Sequence, residues 1–149
     1  MTALKFLFSF FLFSAIIFSC KKESFITSTD AKLNTSADTL CYDTVFTSAG
    51  SITQSFKIFN DNNQKLRLSK VKLSGGASSA FKINVDGTSA NEVDDIEINA
   101  NDSIYVFVQV HINPTTANLP FIIRDSILIN YNGNQKYVQL QAYGQNAIF

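Results

Sequence analysis

The side chains that could do chemistry in this 149-residue sequence are few and scattered. His111 is the only histidine, and a metal or catalytic site needs two or more histidine, cysteine or carboxylate groups that converge. We therefore expect His111 to be an outward-facing polar residue on a strand. No Ser-His-Asp set, paired carboxylates beside a cleft or glycine-rich phosphate loop can be assembled, so we expect a protein that is not an enzyme and needs no cofactor.

The densest group of possible metal ligands is acidic. Glu92, Asp94, Asp95 and Glu97 place four carboxylates within six residues, enough oxygen for a calcium ion if the side chains converge. Neighbouring residues on a strand point to opposite faces, which favours a solvated loop and strand edge instead.

The two cysteines have different surroundings. Cys20 follows an uncharged run of 13 residues, 6–18, which as a helix spans about 20 Å, whereas a bilayer core needs about 30 Å. A short apolar run between a lysine and a small residue predicts a secretory signal peptide over residues 1–19. Cys41 has no partner for an internal disulfide if Cys20 is modified, and we expect it to be buried or half-buried and unreactive.

The residues around Cys20 carry a resemblance. Ile17-Phe18-Ser19-Cys20 resembles the lipobox of bacterial lipoproteins. The resemblance implies cleavage before Cys20, a thiol joined to diacylglycerol, and attachment to a membrane, which two or more acyl chains make stable. Lys22-Glu23 is similar to the export signal of Bacteroidetes-type surface lipoproteins, which implies an outer-membrane location facing the cell surface or the periplasm.

The remaining chain has room for one domain. The 12 Lys+Arg and 12 Asp+Glu residues cancel, so no basic field exists to attract nucleic acid. Residues 20–38 lack a hydrophobic period and predict a flexible tether behind the lipidated cysteine. Residues 39–149 would then form the domain.

From residue 39 onward, short segments rich in Val, Ile, Phe and Tyr alternate with clusters of Asn, Asp, Gly and Ser, a pattern typical of an all-β sandwich. The clearest strand is 103–112, whose even-numbered residues are β-branched and predicted to face inward. Other strands are predicted at 40–46, 52–60, 66–73, 81–85, 95–98, 124–131 and 136–143. Asn132-Gly133 predicts a hairpin turn, with a two-residue or four-residue loop left open.

Seven or eight such strands predict two packed antiparallel sheets, with one sheet closed on itself as the alternative. The segments QSFKIFN (54–60), ANDSIYVFVQVHINP (100–114) and DSILINYNGNQKYVQLQAYGQN (125–146) resemble the Hydin and major-sperm-protein immunoglobulin-like class. Residues 20–149 as a whole are similar to the N-terminal part of Bacteroidetes-type surface lipoproteins, in which a right-handed parallel β-helix follows the sandwich. We expect a truncated gene or a family member that kept only the sandwich.

Two kinds of surface site are predicted. Four large aromatic residues are predicted at outward positions of the strands: Tyr105, Phe107, Tyr137 and Tyr143. Such residues indicate either ordinary cross-strand pairing or a docking face for a protein or a glycan. Four Asp-(Ser/Thr)-aliphatic triplets resemble the O-glycosylation site of Bacteroidetes-type exported proteins, with acceptors Thr39, Thr44, Ser103 and Ser126.

The expected function is that of a membrane-anchored surface lipoprotein whose immunoglobulin-like β-sandwich is a structural, adhesion or presentation module. One alternative is a glycan-binding accessory module of a surface polysaccharide uptake system. Another is a fragment of a longer β-helix lipoprotein.

Overall fold

The computed structural model describes residues 24–46, 53–111 and 121–145. Within these ranges the chain forms ten strands and one short 3-10 turn, Gly76–Ser78. The strands are β1 Leu33–Thr35, β2 Thr39–Phe46, β3 Thr53–Asn60, β4 Leu66–Leu73, β5 Phe81–Val85, β6 Thr88–Ser89, β7 Glu92–Ile98, β8 Ser103–Val110, β9 Phe121–Tyr131 and β10 Asn134–Gln145. No helix in the described ranges is long and apolar enough to cross a membrane.

The strands form two five-stranded sheets. The front sheet has the order β1-β3-β8-β5-β6, and the back sheet has the order β2-β10-β9-β4-β7. The predicted immunoglobulin-like β-sandwich is therefore confirmed. One correction concerns strand direction: β2 runs parallel to β10, from Thr39 opposite Gln139 to Phe46 opposite Gln145, so the back sheet is mixed rather than purely antiparallel.

The core lies between the sheets and follows the alternation that the sequence predicts. On β8, Ile104, Val106, Val108 and Val110 are buried, because residues of one parity share one face of a strand. Tyr42 of β2 is fully buried and connects the sheets, since its hydroxyl donates to the Val108 carbonyl at 2.6 Å. Burial of each of the aliphatic side chains on β8 contributes roughly 1.5–3 kcal/mol to the free energy of unfolding.

The predicted hairpin of β9 and β10 is present with the shorter of its two possible loops. Tyr131 pairs with Asn134, so Asn132 and Gly133 alone form the turn. Both have positive φ, 44° and 80°, which asparagine and glycine adopt at least cost. The strands β1 and β6, three and two residues long, were not predicted because so few residues show no period.

The expectation of a flexible tether over residues 20–38 is wrong for its described part. Residues 24–32 form an ordered strap that crosses one end of the sandwich and leads into β1. Phe25 forms a parallel bridge with Lys65, and the Ile26 amide donates to the Lys65 carbonyl at 2.8 Å. Ala31 and Leu33 are buried in the core.

Asparagine side chains hold the strap in place. Asn132 donates to the carbonyls of Ile26 and Ser28 at 2.9 and 3.0 Å. Asn62 accepts from the Lys32 amide at 2.9 Å and donates to the Lys32 carbonyl at 2.8 Å. These amide side chains replace the backbone pairing that a strand would have, which is why a segment without hydrophobic period is still ordered.

The end that the strap crosses is called the base here, and it carries the turns 61–65, 99–102 and 132–133. Asn60 connects two of these turns, because its buried amide donates to the carbonyls of Ile98 and Asn99 at 3.0 and 2.7 Å. The opposite end, called the top, carries residues 74–80 after β4, including the 3-10 turn.

Candidate functional site

Two exposed aromatic rings lie side by side on the outer face of the front sheet. Tyr105 and Phe107 of β8 are 46% and 44% exposed. Their rings stack with centroids 5.7 Å apart and planes 18° apart. The Nζ atom of Lys57, on the paired residue of β3, lies 4.7 Å from the centre of the Tyr105 ring, a cation–π contact.

A shallow groove of about 220 Å³ adjoins the Phe107 ring. Its described lining is mostly polar and consists of Thr53, Lys82, Ile83, Asn84, Ser89, Phe107 and Gln109. Strand pairing brings these residues together, since Asn84 lies opposite Phe107 and Lys82 opposite Gln109. Among these lining residues there is no carboxylate, imidazole or thiol, and the groove offers hydrogen-bonding groups, the Lys82 ammonium and one aromatic ring face.

The charge of the front sheet is one-sided. Its five described strands contain Lys57 and Lys82 but no aspartate or glutamate. Both lysines belong to strand positions beside the aromatic pair. The strand positions of this face are therefore basic, whereas Asp86 in the turn between β5 and β6 lies next to Tyr105, because its amide donates to the Tyr105 carbonyl at 3.0 Å.

The other two predicted docking residues lie on the opposite side of the molecule. Tyr137 and Tyr143 are 46% and 40% exposed on β10, in the back sheet. Their outward position is as predicted, but the two sheets separate them from Tyr105 and Phe107. The four aromatics therefore cannot form one docking face, because strands from different sheets present their outward residues to opposite sides.

The acidic residues of β7 form ion pairs on the outside of the back sheet. Lys70 contacts Glu92 and lies 3.3 Å from Asp94, while Arg67 lies 3.1 Å from Glu97. The hydrogen bond that the Lys70 ammonium donates to Glu92 raises the pKa of Lys70. The solvated strand edge is thus what the structure has, with charges that deter pairing by another strand.

The alternation that predicts this solvated edge is interrupted within β7. Simple alternation would place Glu97 on the opposite face from Glu92 and Asp94. Asp95 has a positive φ of 53°, and the inward residues on its two sides, Val93 and Ile96, are three positions apart, so the alternation shifts by one residue there. The carboxylates of Glu92, Asp94 and Glu97 therefore share one face, where they pair with the basic residues Lys70 and Arg67 of β4.

His111 and Cys41, which the sequence singles out as potentially reactive side chains, are both exposed. His111 is exposed as predicted, but it lies directly after β8, which ends at Val110, and not on the strand itself. Cys41 is also exposed and free, which corrects the expectation of a buried thiol: it occupies the outward position between the buried Leu40 and Tyr42. Across the described ranges, no group of three or more histidine, cysteine or acidic residues could hold a metal ion. Cys20, the lipidation candidate, lies outside the described residues.

The four candidate glycosylation residues lie in different surroundings. Thr39 is exposed at the start of β2, while Ser103 and Ser126 are half-buried. The hydroxyl of Ser126 is hydrogen-bonded to that of Ser74 at 2.8 Å. The side chain of Thr44 lies outside the described part of the chain. Thr39 is thus the most accessible of the three acceptors that can be placed.

The aspartates of two triplets have a local structural role. Asp102 and Asp125 each accept a hydrogen bond from the amide of the serine that follows, at 2.8 and 2.7 Å. In a third triplet, a hydrogen bond from Lys136 lowers the pKa of the Asp38 carboxyl.

Comparison with known proteins reveals the fold. No family model matches the sequence, and no curated protein matches it. Among solved structures, the chain is similar to a protein of unknown function from Porphyromonas gingivalis W83, with 17% identity and a TM-score of 0.56 over 76% of this chain and 46% of that one. It is also similar to a family 123 glycoside hydrolase from Clostridium perfringens, with 11% identity and a TM-score of 0.53 over 74% of this chain and 23% of that one.

The chain is less similar to WR4, an MSP family member from C. elegans, with 12% identity and a TM-score of 0.44 over 77% of this chain and 99% of that one. The chain spans less than half the length of the first two structures that it matches. The likeness to those two structures establishes the β-sandwich alone and carries no activity with it.

Sequence reasoning found the two rings on β8 but missed the groove beside them. Lys82 and Asn84 could have been found, because β5 was predicted with its correct bounds and its outward phase contains both. Ser89 could not, since it reaches the groove from β6, a strand of two residues.

Proposed function

We propose that this protein is a lipid-anchored bacterial surface lipoprotein of the Bacteroidetes type, whose non-enzymatic β-sandwich is an adhesion or presentation module. The observation that carries the proposal is the position of Cys20 at the junction of an apolar run too short to span a bilayer and a charged segment. The resemblance to longer lipoproteins that add a β-helix stays a prediction. An outer-membrane location at the cell surface is part of the proposal.

The architecture of the described chain supports a module that presents a surface. Five of the seven described lining residues of its groove are polar, and Lys70 and Arg67 form ion pairs with three of the four carboxylates of its acidic cluster. The ordered strap begins at Ser24, four residues after Cys20, so a lipid at that cysteine would be joined closely to a rigid domain.

Replacement of the thiol tests the anchor. In a bacterium that processes lipoproteins, the wild type should incorporate labelled palmitate and enter the detergent phase of Triton X-114, whereas Cys20→Ser should do neither. Cys41→Ser is the matched control, because it removes the other cysteine and should leave both properties unchanged. Wild-type protein without palmitate would contradict the proposal. Protease treatment of intact cells then tests the surface location, since only surface-exposed protein is degraded.

The front face favours a second candidate, a glycan-binding module. Exposed rings bind sugars through their apolar faces, and the amide and hydroxyl groups of the groove can bond to sugar hydroxyls. Because Lys57 and Lys82 are not balanced by a carboxylate in the described front strands, the expected ligand is an acidic polysaccharide containing uronic acid.

Paired variants on the two outer faces test this second candidate. In affinity electrophoresis through gels containing polygalacturonate, Tyr105→Ala/Phe107→Ala should lose its retardation, and Tyr137→Ala/Tyr143→Ala should keep it. Dextran, which is neutral, should retard neither protein. Equal retardation of the two double variants would contradict the glycan site, and unfolding of the front-face variant would show that its rings stabilise the fold instead.

A further inference from the structure

The link between the proposed lipid and the folded domain is very short. Three residues, Lys21, Lys22 and Glu23, separate Cys20 from Ser24. Four residue steps span at most about 14 Å even when fully extended. A lipid-modified Cys20 must lie at the membrane surface, so Ser24 must lie within about that distance of it.

Ser24 is attached to the base of the sandwich. Its hydroxyl accepts a hydrogen bond from the Gln64 side chain at 2.6 Å, and its carbonyl accepts one from the Lys65 amide at 3.2 Å. The next residue, Phe25, lies under the guanidinium of Arg67, with 4.5 Å between the guanidinium carbon and the ring centre. The chain is thus fixed to the turn between β3 and β4 from its first described residue onward.

The strap then crosses the base from the back sheet to the front sheet. Asn132 and Asn134 hold it at the β9–β10 turn through the carbonyls of residues 26, 28 and 29. Asn62 holds it at Lys32, immediately before β1 joins the edge of the front sheet. Several separate hydrogen bonds oppose its release, so the strap cannot act as a long flexible spacer while the domain is folded.

From this geometry we infer that the base of the sandwich faces the lipid surface at close range, with the strands pointing away from the membrane. The inference rests on the proposed lipid anchor. The eight residues of β4 run from base to top over about 24 Å, so the top lies roughly that much farther out. The front and back faces then stand clear of the bilayer and are open to a partner.

The charges of the base indicate that the lipid, rather than electrostatic attraction, holds it there. Lys32 and Lys65 are accompanied by Asp30, Asp61 and Asp102 in the strap and base turns, a net charge of −1, and the linker residues 21–23 add a net charge of +1. Anionic lipids attract clusters of basic residues, and the base has no such excess. The approach to the membrane should therefore be insensitive to salt and to the charge of the lipids.

Two matched alanines allow this orientation to be measured on the full, lipidated protein. Ala100 is exposed in a base turn, and Ala77 is exposed in the 3-10 turn at the top. Each is changed to cysteine in a Cys41→Ser background, labelled with a fluorophore, and reconstituted into phosphatidylcholine vesicles that contain nitroxide-labelled headgroups. The label at position 100 should lose most of its fluorescence, whereas the label at position 77 should lose little, with or without added phosphatidylglycerol.

A longer linker provides the second arm of the experiment. Twenty Gly/Ser residues inserted between Glu23 and Ser24 have a root-mean-square length of about 25 Å and should relieve the quenching at position 100. Equal quenching at positions 77 and 100 in palmitate-labelled protein would overturn the orientation while leaving the anchor intact. Quenching at position 100 that persists with the long linker would overturn the inference that the short link sets the orientation, because the base would then bind lipid by itself. Protein without palmitate would overturn both proposals.

Discussion

Replacing Asn60 should destabilise the sandwich more than any exposed change at the base. The residue is 1% exposed, and its amide donates to the carbonyls of Gln64, Ile98 and Asn99 at 2.9, 3.0 and 2.7 Å. Its oxygen accepts from the backbone and side-chain amides of Asn62 at 3.1 and 2.7 Å. The Asn60 side chain thus forms hydrogen bonds with polar groups of the turn 61–65, which contains Asn62, and of residues 98–99 at the end of β7.

The magnitude follows from the groups left without partners. Asn60→Ala removes the acceptor of the buried Asn62 backbone amide and of one hydrogen of the Asn62 side-chain amide, and it takes one donor from the Ile98 carbonyl. The other hydrogen of the Asn62 side chain keeps its bond to the Lys32 carbonyl. A buried polar group left unsatisfied costs about 1–3 kcal/mol. Relaxation and water entry will recover part of this, so we expect a loss of about 2–5 kcal/mol in the free energy of unfolding. That is a large share of the roughly 5–15 kcal/mol typical of a domain.

Equilibrium unfolding in urea, followed by far-ultraviolet circular dichroism, measures the loss. With a slope of about 2 kcal/mol per molar urea, a loss of 3 kcal/mol lowers the midpoint by about 1.5 M. Asn60→Asp has nearly the same shape but removes the amide donor and places a carboxylate against three carbonyls, so it should be destabilised at least as much as Asn60→Ala. Asn63→Ala, at an exposed neighbouring position, is the matched control and should change the free energy by less than about 0.5 kcal/mol.

Equal midpoints for Asn60→Ala and Asn63→Ala, or an Asn60→Asp variant as stable as the wild type, would contradict this prediction. Either result would mean that the hydrogen bonds of the buried amide contribute little to the stability of the fold.

Two further predictions concern the core and the top. Burial raises the pKa of Tyr42 to about 12, above the ordinary value near 10. The protonated Tyr42 side chain therefore contributes fully to the free energy of unfolding below pH 10. This contribution is lost as the pH rises toward 12, at about 1.4 kcal/mol per pH unit. Tyr42→Phe should remove both the ionisation near pH 12, measured by absorbance at 295 nm, and that part of the pH dependence. Gly75→Ala should lower the free energy of unfolding, measured by thermal unfolding, by about 1–3 kcal/mol. The added Cβ would lie 2.7 Å from a carboxylate oxygen of Asp125. That carboxylate is held in place by hydrogen bonds from the Ser79 hydroxyl and from the amides of Gly75 and Ser126. A Gly75→Ala variant as stable as the wild type would show that this carboxylate moves freely.

The sequence alone determined the sandwich, most of its strands and the exposure of its rings. On β8 the burial of Val106, Val108 and Val110 follows from a period of two, which is a local property of the strand. The turn at Asn132-Gly133 is equally local, because few other residue pairs tolerate positive φ at both positions. Both features can be read without knowing which strands are neighbours.

Only the tertiary structure decided which surfaces and segments come together. It placed the two aromatic pairs on opposite faces, made β2 the parallel partner of β10, and shifted the phase of β7 at Asp95. It also ordered the strap, through Asn132 bonds to carbonyls 104 and 106 residues away along the chain. Local periodicity carries no record of such contacts, because a side-chain amide satisfies a distant carbonyl only after the sheets have packed and brought the two together.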